Sequence, residues 1–184
     1  MKIIAFAASN NKHSINRQLA AYAAGLVEGA EIEVLDLNDY EMPIYSEQRE
    51  EQYWQPAPAR EFHARLREAD GIVVSFAEHN GTYTAAWKNL FDWISRVDRK
   101  PFKDKPMLLL STSPGSGGAS SVLEQAVHHI PHFGGLVQAS LSVPDFEDNF
   151  DKERQQVSKW HLRERLKEAA QRLFPPGWNS RWAQ

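Results

Sequence analysis

Five short apolar runs, separated by segments with helical periodicity, constrain the fold of this chain more than any other feature. The runs are Lys2 to Ala7, Glu31 to Asp36, Gly71 to Phe76, Pro106 to Ser111 and Leu136 to Val143. Runs of this length that are rich in branched residues are typical of strands buried on both faces of a parallel sheet. The alternation of strand and helix therefore predicts an α/β fold, a three-layer sandwich around one five-stranded parallel sheet.

The segments between the runs carry apolar stripes at helical spacing. The stripes are Ile15, Leu19, Tyr22, Ala23 and Leu26; Phe62, Leu66 and Ala69; Trp87, Leu90, Phe91, Ile94 and Val97; and Leu162, Leu166, Ala169 and Leu173. Ser121 and Glu124 resemble a capping box that opens a further helix, which carries Val122, Ala126, Ile130 and Phe133. Right-handed crossovers favour the doubly wound strand order 2-1-3-4-5, which places a ligand crevice at the carboxyl ends of the first, third and fourth strands.

The length of the chain predicts one domain over residues 1–184. A chain of 184 residues with 42% hydrophobic content can bury one sizeable core. Two segments do not fit the alternation. Asn38 to Pro58 is a long excursion with three prolines, which loop-length statistics mark as functional or loosely ordered. Residues 175–184 cannot continue a helix, and we expect this tail on the surface or at an interface.

Charge and composition exclude several classes of function. A formal net charge of -3 gives no field that would attract nucleic acid or an anionic membrane. The chain has no cysteine, so disulfides, thiolate metal sites and thiol nucleophiles are excluded. No apolar stretch approaches the length of a membrane span. We therefore expect a cytoplasmic protein whose ligands are small molecules.

Residues 8–16 form the first of three loops that fall on the predicted crevice. This loop contains Ser9, Asn11, Ser14 and Asn16, whose hydroxyls and amides could join the amides of a helix start around a phosphate. The loop has no glycine. The alternative interpretation is that Ser14 is an ordinary helix N-cap.

The other two loops offer bare backbone to a ligand. In the second, residues 77–84, the Asn80-Gly81 pair allows a sharp turn that presents amides and carbonyls to a flat molecule, although it also suits an ordinary turn with Thr84 as N-cap. In the third, residues 111–121, Pro114 precedes three glycines, so the backbone can pass close to a ring system. A glycine cluster also suits tight turns, and its position after the fourth strand gives it weight.

Together these loops resemble those of the NAD(P)H-dependent FMN reductases, a flavodoxin-like family that includes quinone, azo-dye and chromate reductases. The resemblance rests on the S-I-N that ends the first loop, on AEHNGTYTAAWKNLFDW and on STSPGSGG, and it covers about residues 1 to 145. It implies that FMN binds at the loops and passes electrons from NADPH or NADH to a flavin, a quinone or another small acceptor. The residues that it assigns to FMN are Ser9, Asn11, Ser14, Ile15, Asn16, Glu78, His79, Asn80, Gly81, Ser113, Pro114, Gly115, Gly117 and Gly118.

Three residues depart from the family pattern. Asn11 stands where the family usually has arginine, Ala77 where it has proline, and His79 where it has tyrosine. The first change removes a charge from the phosphate site, and the last changes the surface against which the ring would rest. The departures therefore bear on the substrate more than on the cofactor.

The resemblance also implies a homodimer or homotetramer that uses the helix of Trp87 to Val97. Trp87 and Trp93 lie on different sides of this helix, which gives it more large apolar groups than one buried face would hold. We therefore expect part of the helix to be covered by a second subunit.

Two clusters have plain alternatives to a functional role. A metal site at His128, His129 and His132 is disfavoured, because adjacent histidines point to different sides of a helix and Pro131 interrupts it. A basic run before the fourth strand is either a solvated face or a receptor for the 2′-phosphate of NADPH. Its members are Arg96, Arg99, Lys100, Lys103 and Lys105.

The residues alone leave three functions open. In an FMN-dependent oxidoreductase, hydride passes from nicotinamide to flavin without a protein nucleophile, so no catalytic residue is assigned. A flavodoxin-type electron carrier would be strongly acidic and would have a threonine-rich phosphate loop, and this chain has neither. A receiver-like or other noncatalytic module is the third, but a receiver needs carboxylates where this chain has Ala7 and Ala8.

Overall fold

Strands and helices alternate along the chain in the computed structural model, which describes residues 1–174 and 176–178. The strands are β1 (Lys2–Ala8), β2 (Glu31–Leu35), β3 (Gly71–Phe76), β4 (Glu78–His79), β5 (Thr82–Tyr83), β6 (Lys105–Thr112), β7 (Gly135–Val143), β8 (Phe150–Asp151) and β9 (Gln156–Val157). The α-helices are α1 (Ile15–Gly25), α2 (Glu47–Tyr53), α3 (Ala57–Glu68), α4 (Ala85–Val97), α5 (Ser120–His129), α6 (Phe146–Asn149) and α7 (Trp160–Arg172). Short 3-10 helices lie at Leu37–Tyr40 and Ile130–Phe133.

A five-stranded parallel sheet organises the molecule, in the order β2-β1-β3-β6-β7. Counted among the sheet strands alone, this is the order 2-1-3-4-5, so the predicted topology is confirmed. Each of the five predicted strands ends within one residue of its observed bounds. The periodicity of the sequence therefore located the sheet correctly.

Both faces of the sheet are covered by helices. On β3, Ile72 and Val74 face the core formed with α3, α4 and α5, whereas Val73 faces the core formed with α1 and α7. All six residues of β3 are buried. This two-sided burial explains why the strand reads as a continuous apolar run rather than as an alternating one.

Helix α4 buries both of its large indole rings within one chain. Trp87 packs against the sheet, with its ring 5.5 Å from that of Phe6, and it is 1% exposed. Trp93 is fully buried under the segment that precedes α2, where its Nε1 donates to the carbonyl of Pro43 at 2.8 Å. The prediction that Trp87 and Trp93 leave an apolar face of this helix for a second subunit is wrong, because the excursion after β2 covers the second ring.

The excursion is fixed to α4 by Asn89. The Oδ1 atom of Asn89 accepts from the amide of Tyr45 at 2.8 Å, and its Nδ2 donates to the carbonyls of Met42 and Pro43, each at 3.2 Å. One side chain thus bonds the backbone of three residues within the extended segment 42–45. The segment is ordered by contacts with the core, not loosely attached.

Helix α5 begins without the predicted capping box. The residue before it, Ala119, is left-handed with φ 57°, and no side chain of the local sequence caps the helix. The amide of Val122 donates instead to the Oε2 atom of Glu78 at 2.8 Å. The capping role given to Ser121 and Glu124 is therefore wrong, because a carboxylate from the loop after β3 occupies that position.

The tail lies only partly within the described residues. Pro175 and residues 179–184 lie outside them, and the place of the whole tail at the surface or at an interface stays a prediction. In residues 176–178, the ring of Trp178 lies 6.3 Å from that of Phe174. Within the described part of the chain, no helix is long and apolar enough to cross a membrane.

Candidate cofactor-binding site

Three loops meet at one edge of the sheet, as the strand order requires. They follow β1, β3 and β6, which are neighbours in the sheet: Ala8 is paired with Phe76, and Phe76 with Ser111. The loops comprise residues 9–14, 77–84 and 113–119. The structure therefore brings together all the segments that the sequence assigned to the cofactor.

The buried side chain of Asn16 connects the first loop to the two neighbouring strands. Its Oδ1 atom accepts from the hydroxyl of Ser75 at 2.6 Å and from the amide of Thr112 at 3.1 Å, and its Nδ2 donates to the carbonyl of Thr112 at 3.1 Å. The Asn16 side chain is thus engaged in the protein. Its contribution to a ligand would come from its backbone amide.

The first turn of α1 presents hydrogen-bond donors to the loop. Ser14 is the N-cap: its Oγ atom accepts from the amide of Arg17 at 3.2 Å, which confirms the capping interpretation. This bond uses Oγ as an acceptor, so the hydroxyl hydrogen can serve a ligand as well. The amides of Ile15 and Asn16 open the helix and have no carbonyl partner within it. Together these groups form a donor set that favours an anion.

The rest of the first loop is shaped by its own side chains. The hydroxyl of Ser9 accepts from the amide of Asn11 at 3.1 Å, and the Oδ1 atom of Asn11 accepts from the amide of His13 at 2.8 Å. Ser9 is buried, whereas Asn11 and His13 are exposed. Asn11 therefore builds a local turn through its Oδ1 atom.

No arginine side chain of α1 is free to add charge to this loop. The guanidinium of Arg17 is paired with Asp36 at the end of β2. Burial tends to raise the pKa of Asp36, but the bonds from Asn38 and Arg17 hold it below the ordinary value. The Asp36 carboxylate is thus ionised at neutral pH and keeps the Arg17 guanidinium in an ion pair at the end of β2.

The second loop is a short hairpin. Glu78 pairs with Tyr83 and His79 with Thr82, and the turn residues Asn80 and Gly81 both have positive φ, at 53° and 77°. Two successive left-handed residues give the tight turn that Asn-Gly pairs favour. His79, Asn80 and Gly81 are exposed at the tip of the hairpin, where their backbone faces the solvent.

The base of the hairpin is buried and polar. The hydroxyl of Tyr83 lies 3.3 Å from Nδ1 of His129, and burial raises the pKa of Tyr83 to about 12. Thr84 caps α4 by accepting from the amide of Trp87 at 3.2 Å, and its hydroxyl donates to the carbonyl of Ala8 at 2.9 Å. The N-cap interpretation of Thr84 is confirmed, and the same side chain joins the first and second loops.

Backbone conformation and packing require glycine at only one position of the third loop. Gly118 has φ 57°, and a Cβ there would collide with the hydroxyl of Ser142 and the backbone of Pro144. Gly115 and Gly117 have no positive φ, and a Cβ at either would meet no atom within 4 Å. Neither strain nor packing requires glycine at these two positions. Their open backbone fits a loop against which a flat ligand rests.

The third loop is held in place by β6, by β7 and by the residues that follow β7. The carbonyl of Gly118 accepts from the hydroxyls of Ser111 and Ser142, at 2.7 and 2.8 Å. The carbonyls of Ser113 and Gly115 accept from the amides that follow Pro144, at 3.1 and 3.0 Å. Pro114 is exposed between these anchors. The glycines are therefore presented by a fixed backbone, not by a loose loop.

Sequence reasoning missed the polar residues inside the strands. Ser75, Ser111 and Thr112 are fully or almost fully buried. The hydroxyl of Ser75 donates to Asn16 and that of Ser111 to the carbonyl of Gly118, whereas the hydroxyl of Thr112 donates to the carbonyl of Val143 at 2.6 Å. Their signal is visible in retrospect: hydroxyl residues at the carboxyl end of an otherwise apolar strand. Such residues fix the loops that follow the strands.

Members of the two outlying clusters are engaged in contacts within the described part of the protein. His128 bonds the carbonyl of Glu124 through Nδ1 at 2.8 Å, and within residues 1–174 and 176–178 no group of three histidine or carboxylate side chains could hold a metal. In the basic run, Arg96 is paired with Glu50 and Lys103 with Asp98, while Lys105 is buried. This run precedes β6, so it lies at the opposite end of the sheet from the three loops.

Comparison with known proteins decides the family. The family model for NADPH-dependent FMN reductases matches residues 1–148. The chain belongs to this family. An NAD(P)H-dependent FMN reductase from Pseudomonas aeruginosa is 31% identical over 121 residues, which cover 65% of this chain. The match spans 64% of the length of that reductase.

Two further relatives extend the comparison. The NADPH:quinone oxidoreductase of Arabidopsis thaliana is 28% identical over 180 residues, which cover 91% of this chain and 87% of the relative. FerB, a flavoenzyme NAD(P)H:acceptor oxidoreductase from Paracoccus denitrificans, has a TM-score of 0.74 at 22% identity, with 94% of each chain covered. At this identity the likeness to FerB shows a shared flavodoxin-like fold.

Proposed function

We propose that this FMN reductase family member binds FMN at the three loops and passes electrons from NAD(P)H to a flavin, a quinone or another small acceptor. One observation carries the proposal: Gly115 and Gly117 leave open backbone beside the donor set of α1. A flavin mononucleotide has both a dianionic phosphate and a flat ring, and this edge of the sheet offers a place for each.

The proposed contacts follow the loops. Ser9 and Ser14, with the amides of Ile15 and Asn16, hold the phosphate through donors of a helix start. The hairpin from Glu78 to Gly81 lies along the isoalloxazine and ribityl side. Residues 113–118 face the other edge of the ring, where the absence of side chains at the glycines allows close approach.

The chain's residues orient and enclose the reactants rather than react. Bound FMN supplies the redox chemistry by accepting hydride from the nicotinamide and passing two electrons onward. Reduction of a quinone to a hydroquinone needs two electrons and two protons, of which NAD(P)H supplies both electrons and one proton, and the solvent the other. Tyr83 is neutral at physiological pH, as any tyrosine is at its ordinary pKa of about 10, and burial moves its pKa further away, to about 12.

A spectroscopic titration under nitrogen tests the proposal. The FMN-loaded protein should lose its flavin absorption on addition of NADPH or NADH and regain it on addition of 1,4-naphthoquinone. The ratio of the two bleaching rates gives the nicotinamide preference. A flavin that is bleached by dithionite but by neither nicotinamide would indicate an electron carrier. A protein with no saturable FMN binding would refute the cofactor assignment.

We also propose that the protein assembles as a homodimer or homotetramer. The support comes from the excursion after β2, where Ile44, Tyr53 and Trp54 are 74, 49 and 69% exposed. Large apolar side chains gathered on one segment are typical of an interface. Light scattering of the FMN-loaded protein tests this, and a monomer mass at all concentrations would contradict it. Because the reaction uses NAD(P)H, we place it in the cytoplasm.

A further inference from the structure

A shallow groove of about 520 Å³ runs along one face of α5, and the proposed FMN contacts do not use it. Its lining consists of polar and titratable side chains from α5 and from the 3-10 helix that follows. They are Ser121, Glu124, Gln125, His128, His129 and His132. We refer to this groove as the α5 groove.

The hairpin of the second loop is bonded to α5 at three points along the α5 groove. The hydroxyl of Thr82 donates to Oε1 of Gln125 at 2.8 Å. The hydroxyl of Tyr83 lies 3.3 Å from Nδ1 of His129. The third bond is that of the Glu78 carboxylate to the start of α5, at 2.8 Å. The α5 groove therefore lies alongside the hairpin that is proposed to line the flavin ring.

The α5 groove begins next to the glycine loop and leads away from it. Ser121 is in the first turn of α5, directly after the loop of residues 113–119. From Ser121 to His132 the helix rises by about 16 Å, at about 1.5 Å per residue. This length suits a dinucleotide whose nicotinamide lies on the flavin ring and whose adenosine lies further along α5.

Glu124 gives the α5 groove its charge. The exposed carboxylate of Glu124 has no hydrogen bond or ion pair within the described ranges, so it is available to a ligand. The described lining contains no lysine or arginine. Burial lowers the pKa of His129, and the nearby charges of His132 and Lys88 lower it further. Lys88 is itself paired with Asp92 at 2.7 Å. The α5 groove is therefore negatively charged when its histidines are neutral.

A carboxylate in this position distinguishes the two nicotinamide dinucleotides. NADH and NADPH differ only at the 2′ position of the adenosine ribose, which carries a hydroxyl in the first and a phosphate in the second. A carboxylate accepts a hydrogen bond from the hydroxyl and repels the phosphate, whereas arginine accommodates the phosphate. The basic run from Arg96 to Lys105 cannot supply that cation, because it lies at the opposite end of the sheet.

We propose that the α5 groove holds the adenosine half of the nicotinamide dinucleotide, with Glu124 on the ribose 2′-hydroxyl, and that the protein therefore prefers NADH to NADPH. This inference rests on the proposed function and adds the specificity of that site for its electron donor. One turn beyond Glu124, the exposed ring of His128 offers a flat surface on which adenine can stack.

Binding of the oxidised dinucleotides tests the proposal without turnover. Calorimetric titration of the FMN-loaded protein at about pH 8, above the range in which histidine ordinarily titrates, should show NAD⁺ binding at least about tenfold more tightly than NADP⁺. Glu124→Arg should reverse this order, because a guanidinium attracts the 2′-phosphate. Glu124→Gln keeps a partner for the hydroxyl but removes the repulsion, so the two affinities should approach each other. Both replacements suit an exposed helical position.

Glu164→Arg is the matched control. It makes the same change of charge on the exposed face of α7, which packs on the other face of the sheet, and should keep the wild-type preference for NAD⁺. The inference would be overturned by a wild type that binds NADP⁺ as tightly as NAD⁺ or binds neither. An unchanged affinity ratio in folded Glu124→Arg would also overturn it. Anaerobic bleaching reports on the proposed function separately, since bleaching of the wild-type flavin by either nicotinamide upholds that function whatever the affinity ratio.

Discussion

The carboxylate of Glu78 accepts a hydrogen bond from the amide of Val122 at 2.8 Å, across 44 positions of sequence. Glu78 begins the Asn-Gly hairpin, and Val122 is in the first turn of α5, directly after the glycine loop. The bond therefore fixes the second loop to the third. A negative charge at a helix N-terminus also interacts favourably with the helix dipole.

Removal of this carboxylate should affect both stability and FMN binding. Glu78→Ala leaves the start of α5 uncapped, and we expect a loss of about 0.5–2 kcal/mol in the free energy of unfolding by urea. FMN should bind more weakly because the hairpin is no longer held. Glu78→Gln keeps an acceptor oxygen and should recover most of the affinity. If Glu78→Ala matched the wild type in both measurements, the bond would have no role in the site.

Gly117 separates the requirements of the ligand from those of the fold. A methyl group at Gly117 meets no protein atom within 4 Å, so Gly117→Ala should unfold at the wild-type temperature. FMN binding should nevertheless fall at least tenfold, because the methyl group would occupy the proposed ring surface. Gly25→Ala is the matched control, since a Cβ there also meets nothing.

Gly118→Ala should behave in the opposite way. Its φ of 57° and the collision with Ser142 predict a lower free energy of unfolding even without FMN. Thermal unfolding of the apoproteins distinguishes the two glycines. Wild-type FMN affinity in Gly117→Ala would show that the third loop does not contact the ring.

An arginine at position 11 should restore the charge that the family usually has there. Asn11→Arg should tighten FMN by up to about tenfold at low ionic strength, because a hydrogen bond to a charged group is worth about 1.5–3 kcal/mol and partial exposure reduces it. The gain should shrink in high salt. Loss of the bond from Asn11 to the amide of His13 opposes the gain. Asn11→Ala measures that loss alone, and equal affinities for Asn11→Arg and Asn11→Ala would place position 11 away from the phosphate.

Buried His63 should make the protein less stable in acid. The Nε2 atom of His63 has no hydrogen-bond partner. Burial lowers the pKa of His63, and the positive charges of Lys103 and Arg67 lower it further. The carboxylate of Asp98, 3.9 Å from Nε2, raises this pKa but does not offset the effect of burial. In the unfolded chain, His63 binds a proton with an ordinary pKa of about 6.5. The stability that comes from burying the neutral ring is therefore present above that pH and is lost as the pH falls below it. Urea unfolding at about pH 7.5 and 5.5 should show a smaller loss for His63→Leu than for the wild type. Equal losses would contradict the assignment.

The sequence predicted the sheet and the three loops but not the contacts between them. Strands such as Gly71–Phe76 are buried on both faces, and this burial leaves a direct trace in composition. The cap of α5 could not be predicted because its partner, Glu78, is distant in sequence. The sequence also did not predict that the excursion after β2 covers Trp93, since the indole bonds a backbone carbonyl, which any residue could supply. Local patterns report burial, whereas these contacts depend on the assembled topology.

Amide hydrogen exchange, with and without saturating FMN, tests the central claim most directly. We expect slower exchange within residues 9–16, 78–83 and 113–118 when FMN is bound, because the proposed cofactor covers these segments and holds the amides of Ile15 and Asn16. The exposed face of α7, which carries none of the proposed contacts, should exchange at the same rate in both samples and serves as the internal control. FMN-dependent protection confined to other segments, or none at saturation, would contradict the proposed cofactor site.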